Sequence, residues 1–172
     1  MAATTKQLII EAYMKLVETN PFDKITVTDI VELCAISRQT FYYHFGDIET
    51  MLQWLFSTEA DVICEAIKNE DLSKNSIKCY TDFVSKYDVL IKKSLNTSKF
   101  ILVHDLLFDT FYKTTNTYWI KRFKIYNNSY KSVVEFWASA ILGLVIKEAE
   151  KEDSNYEQLF VMIESYIPKS NN

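Results

Sequence analysis

TVTDIVELCAISRQTFYYHF, residues 26–45, is the stretch on which the fold turns. It reads as two short helices joined by a tight turn. Thr26 is a helix N-cap, and Asp29 three residues on completes a capping box. Ile30 and Leu33 then fall on one face. Ser37 is a second N-cap, opening RQTFYYH. That second helix gathers Arg38, Gln39, Thr40, Tyr42, Tyr43 and His44 into under two turns. These side chains hydrogen-bond, stack and hold phosphate, whereas Phe41 and Phe45, four apart, point inward. A short helix with such an outward face is what reading a major groove requires.

The stretch resembles the DNA-binding module of the TetR family of transcriptional regulators. TVTDI matches the supporting helix, CAIS the turn and RQTFYYHF the recognition helix, and the resemblance runs over roughly residues 5 to 55. It implies an all-α fold: an N-terminal three-helix DNA-binding head with a helix-turn-helix (residues 1–50) and a C-terminal helical ligand and dimerisation body (residues 51–172). It also implies that Thr26, Thr28, Ser37, Arg38, Gln39, Thr40, Tyr42, Tyr43 and His44 meet DNA. Two features depart from the family. Ala35 stands where the family usually has glycine. Gly46 and Ile48 are uncharged where members commonly carry a lysine that meets the DNA backbone.

Composition agrees with an all-helical chain. Of 172 residues 48% are apolar, while only two glycines and two prolines are present, too few turn residues for sheets. The first helix is expected at 4–19, with Leu8, Ile9, Ala12, Tyr13, Leu16 and Val17 in helical register and Asn20-Pro21 ending it. The supporting and recognition helices follow at 27–34 and 38–44. Cys34 is a small residue where those two helices meet. A fourth helix, capped by Asp47, runs over 48–68 with Met51, Leu52, Leu55, Phe56, Val62, Ile63 and Ile67 inward. A polar break at 69–76 precedes a helix at 76–95. An aromatic helix at 99–126 follows, then a turn at Asn127-Asn128-Ser129. The strongly apolar helix 130–150 carries Val133, Val134, Phe136, Trp137, Ala140, Ile141, Leu144 and Val145. The last helix, 156–167, stops at Pro168. By resemblance, the helices at 130–150 and 156–167 form a homodimer. The body further resembles a compact subgroup of the family that includes an activator of dihydroxyacetone kinase genes.

The aromatic density of the body reads first as core. It reads second as a ligand cavity, with Tyr87, His104, Phe108, Tyr112 and Trp119 as contacts for an unknown small-molecule or protein effector. No metal and no cofactor are expected. Two histidines, one of them in the reading helix, make no cluster. The three cysteines lack metal spacing and point to a reducing, cytoplasmic setting. No signal peptide and no membrane span are read: the apolar run 133–146 is short and carries Glu135. There is no phosphate loop or nucleophile–base pair, and Asp105 and Asp109 read as a solvated face, so the chain is not expected to be an enzyme.

Charge sets a condition on the DNA reading. Net charge is −4. Residues 1–50 hold four bases (Lys6, Lys15, Lys24, Arg38) against seven acids, a net −3. Hydroxyls, backbone N–H groups and helix ends must then carry much of the phosphate contact, with a shallow salt dependence. The expected function is a ligand-responsive repressor, acting as a homodimer on a partly palindromic double-stranded operator. The alternative is a helical interaction protein or co-regulator of the same fold with weak or lost DNA binding.

Overall fold

The structure, a computed structural model, describes residues 4–69, 72–124 and 130–167. Among them lie nine α-helices and no strand. They are α1 (Thr5–Thr19), α2 (Val27–Leu33), α3 (Arg38–His44), α4 (Ile48–Asn69), α5 (Leu72–Lys86), α6 (Asp88–Ser94), α7 (Phe100–Phe123), α8 (Lys131–Ala149) and α9 (Tyr156–Tyr166), with a 3₁₀ turn at Phe22–Lys24. The all-α expectation holds.

Local chemistry sets the boundaries. Thr4 and Gln7 close a capping box on α1, and Thr26 and Asp29 close one on α2. Ser37 caps α3, its hydroxyl accepting the Thr40 N–H at 3.0 Å. Asp47 accepts the Thr50 N–H at the start of α4. Three expectations shift. The polar residues after Asn69 do not make an eight-residue break, because α5 is helical from Leu72. The single helix expected at 76–95 is two, parted at Tyr87, whose N–H bonds the carbonyls of both Phe83 and Val84 and so tightens the last turn of α5. The aromatic helix ends at Phe123, with Lys124 in the left-handed region at φ 52°. The turn expected at Asn127-Asn128-Ser129 and the stop at Pro168 lie outside the described residues.

The chain forms two compact units. The first comprises Met1–Leu55 together with Val89–Val103. Its core is built from Ile9, Tyr13, Val17, Phe22, Ile30, Phe41, Phe45 and Met51, joined by Leu90 and Ile91 of α6. Lys93 ties α6 to the end of α1: its ammonium donates to the Glu18 carbonyl at 2.7 Å and the Asn20 carbonyl at 3.4 Å. A cation there also suits the negative end of the α1 dipole.

The second unit comprises Phe56–Asp88 and His104–Asn172. Rings fill its core. Phe83 meets Phe56 edge-on at 5.9 Å and Phe111 edge-on at 6.1 Å, and Tyr80 stacks on Phe160 at 5.5 Å. Two buried phenols spend their hydroxyls on carboxylates: Tyr87 donates to Glu59 at 2.7 Å and Tyr156 to Asp88 at 2.6 Å. Several residues expected inside lie at the surface instead. Val62 is 62% exposed, and Leu8 and Leu33 are exposed as well; on α8, Val133 and Phe136 also lie at the surface. On the short α2, Val31 rather than Leu33 joins Ile30 in the core.

Candidate nucleic-acid interface

The sequence of α3 divides its faces. Phe41 and Phe45 are buried, in tilted contact at 6.1 Å, so the helix has one inward edge. Arg38, Gln39, Tyr42 and Tyr43 stand on the outward side. Tyr42 is 55% exposed and Tyr43 85%. Each offers a ring face and a phenol O–H to a partner. Their rings are braced from behind, Tyr42 edge-on to Phe41 at 5.6 Å and Tyr43 edge-on to His44 at 5.1 Å. His44 and Thr40 are half-buried at the margin of this face.

Hydrogen bonds among the candidates show which donors are free. Arg38 Nη2 donates to Thr28 Oγ1 at 2.8 Å, tying the start of α3 to α2. The Thr28 hydroxyl proton and the remaining guanidinium N–H groups stay available to phosphate or base. The Ser37 and Thr40 hydroxyls pair at 2.9 Å, which uses one of their two protons. Thr26 is different. Its N–H and its hydroxyl both lie on the Asp29 carboxylate, at 2.8 and 2.7 Å. Both of its donors are spent inside the cap. These bonds, with Thr26 the first cause, hold the Asp29 carboxyl below the usual carboxylate range. The Thr50 N–H does the same for Asp47.

The turn between α2 and α3 is a Schellman motif. The Ile36 N–H bonds the Val31 carbonyl at 3.1 Å, and the Ala35 N–H bonds Glu32 at 3.4 Å. Ala35 takes the left-handed position of that motif, at φ 54°. The turn is therefore kept rather than remodelled, with an alanine where glycine is the unstrained residue.

Two contributors lay outside the sequence reading. Lys6, in the first turn of α1, sits over the Phe45 ring at 5.2 Å and the Trp54 ring at 4.7 Å, which holds its charge beside the end of α3. The segment Val89–Val103 belongs to the first unit and brings Lys92, Lys93 and Lys99 with no acid. The unit thus holds seven bases against seven acids and is neutral, not −3. No local signal marks that recruitment, since the segment lies far along the chain.

The five candidate ligand residues do not come together. Trp119 lines a cavity of the second unit with Tyr80, Thr115, Tyr118, Trp137 and Phe160. Tyr87 is buried among Phe56 and Phe83. His104 pairs with Asp105 at 3.0 Å, and the half-buried Phe108 and Tyr112 lie ring to ring at 6.1 Å. None of those four lines that cavity. Among the described residues no group of histidines, cysteines and carboxylates is arranged for a metal, and no helix is long and apolar enough to cross a membrane.

Residues 9–54 match the family model for bacterial regulatory proteins of the tetR family. Residues 9–54 are thus a DNA-binding segment of the tetR type. A segment of 55 residues is 36% identical to the HTH-type dhaKLM operon transcriptional activator DhaS of Lactococcus lactis, covering 32% of this chain and 29% of that relative. The chain therefore spans under a third of this relative's length in the alignment. Two solved structures share the fold. The dihydroxyacetone kinase operon activator DhaS superposes with a TM-score of 0.71 at 20% identity, over 95% of this chain and 94% of that one. The TetR family repressor AlkX from a Dietzia species, implicated in n-alkane biodegradation, gives 0.57 at 16% identity, over 92% and 93%.

Proposed function

We propose that the protein is a homodimeric, sequence-specific regulator in which α3 of each subunit enters a major groove. The observation that carries this reading is the outward face of α3, where Tyr42 and Tyr43 are exposed beside Arg38 and Gln39 while Phe41 and Phe45 anchor the helix. Bases would be met by Gln39, Thr40 and Tyr42, and phosphates by Thr28, Arg38, Tyr43 and His44. Ser37 serves as the cap that sets the helix. Thr26 acts through the fold, having no donor to offer.

Dimerisation through α8 and α9 is supported by apolar side chains left at the surface. Val133, Phe136 and Gly143 are exposed on α8 at helical spacing, with Val161, Met162 and Tyr166 on α9. A partly palindromic operator, with half-sites about 34–36 Å apart, would match the two-fold axis of such a dimer. An effector taken by the second unit would shift the population between states that bind DNA differently. The relatives named above include an activator and a repressor, and the same head geometry serves either sign. A cytoplasmic location follows from this function.

A salt titration on random-sequence duplex tests the reading against a helical interaction protein without DNA binding. Non-specific binding at low salt would rest on local cations, not on the net charge of the first unit, which is zero. With Arg38 and Lys6 as the cations at the face, a slope of about −4 in log K against log salt is expected for a dimer. Absence of binding at about 50 mM salt would favour the interaction protein.

A further inference from the structure

We propose that the cavity of the second unit binds a small, uncharged, single-ring molecule bearing one hydroxyl or carbonyl, which Thr115 recognises. This rests on the reading above that the second unit takes an effector, and supplies the ligand's chemistry. The Thr115 hydroxyl is the key group. The residue is 4% exposed, it lines the cavity, and its Oγ1 has no partner in hydrogen-bonding geometry. The neighbouring threonines of α7 are satisfied, Thr110 donating to the Leu106 carbonyl and Thr114 to the Thr110 carbonyl. The Tyr80 phenol lies near the Thr114 and Thr115 hydroxyls but outside hydrogen-bonding geometry with Thr115, and burial pushes its pKa up to about 12. A buried hydroxyl left unpaired beside an opening calls for a ligand or water to pair with it.

The walls set the rest of the class. Tyr80, Tyr118, Trp119, Trp137 and Phe160 offer ring faces, with Trp119 and Trp137 6.3 Å apart. Such a box would suit a cation if its charges favoured one. They do not. Glu164 is at the rim, but the Arg122 guanidinium lies 5.8 Å from the Tyr118 ring, and the two charges act in opposite directions on the Tyr118 phenol. The rim is thus neutral overall, and so is the preferred ligand. Size follows from about 40 Å3 of room for water centres. That is space for about three waters, or about 90 Å3 of molecule, the bulk of one six-membered ring.

The test is 19F NMR of 4-fluorophenol titrated into the full-length protein, with fluorobenzene and N-methylpyridinium as comparators. Saturable binding of 4-fluorophenol is expected, with fluorobenzene weaker by about fivefold, the worth of one neutral hydrogen bond. Thr115→Val should erase that difference, and Ile141→Phe, which fills the cavity, should abolish both; circular dichroism confirms that each variant is folded. N-methylpyridinium should not displace the phenol. Absence of saturable binding, equal binding by Ile141→Phe, or displacement by N-methylpyridinium overturns the proposal. Operator binding is followed in parallel. Saturable phenol binding that leaves operator affinity unchanged overturns the effector reading while the cavity assignment stands.

Discussion

Ala35→Gly should stabilise the protein. Ala35 holds φ 54° at the left-handed position of the Schellman turn between α2 and α3. An alanine Cβ in that conformation costs about 1–2 kcal/mol. Glycine removes that cost but adds conformational freedom to the unfolded chain, worth about 0.4–1 kcal/mol in the other direction. Ala35 is exposed, so no packing is lost. The net gain is about 0.5–1 kcal/mol, which for a chain of this length raises the thermal midpoint by about 1–4 °C. The assay is thermal and urea unfolding followed by circular dichroism. Ala66→Gly, within α4, provides the control: the same change there should destabilise by about 1 kcal/mol. If Ala35→Gly lowers the midpoint as Ala66→Gly does, the positive-φ turn is not a source of strain and the reasoning fails.

Other perturbations address the interface, the dimer and the caps. Tyr42→Ala should weaken specific DNA binding by about 1–3 kcal/mol in a mobility-shift titration while leaving the unfolding midpoint in place. Gly46→Lys has room for its side chain, since a Cβ there would lie 3.8 Å from Thr50 Oγ1. It should steepen the salt dependence by about 2 per dimer, one phosphate contact per subunit; an unchanged slope would remove position 46 from the DNA face. Phe136→Glu, at a side chain 66% exposed, should yield monomers in light scattering, and a persistent dimer would move the interface off α8. The caps make the fold acid-sensitive. The Asp29 and Asp47 carboxyls lie below their ordinary range when folded, so their contribution is present above the unfolded value of about 3.9 and is lost as pH falls through the folded values. The melting temperature should therefore drop below about pH 4, and Asp29→Asn with Asp47→Asn should flatten that decline.

Much of this was legible in the sequence because it is local. Capping boxes act over three residues, and so Thr26 with Asp29, Ser37 and Asp47 marked where α2, α3 and α4 begin. The register of Phe41 and Phe45 separated the faces of α3. What escaped was set by distant partners. Tyr87 breaks the helix expected at 76–95 where its phenol reaches Glu59, 28 residues away. The lysines of Val89–Val103 change the charge of the first unit only because the chain returns there. The ligand candidates were chosen for ring and polar character, and of the five only Trp119 reaches the cavity, since lining depends on how four helices meet. The family resemblance implies a phosphate contact at Thr26, and the geometry consumes both its donors.

The most direct test of a dimer reading DNA through α3 is selection of bound duplexes from a random library by the full-length protein and by Tyr42→Ala. The parent should enrich a partly palindromic motif whose half-sites are centred about 10–10.5 base pairs apart or a multiple of that, and Tyr42→Ala should lose or relax it within each half-site. Recovery of no motif by the parent, or of the same motif at the same strength by both proteins, would contradict the assignment of α3 as the reading element.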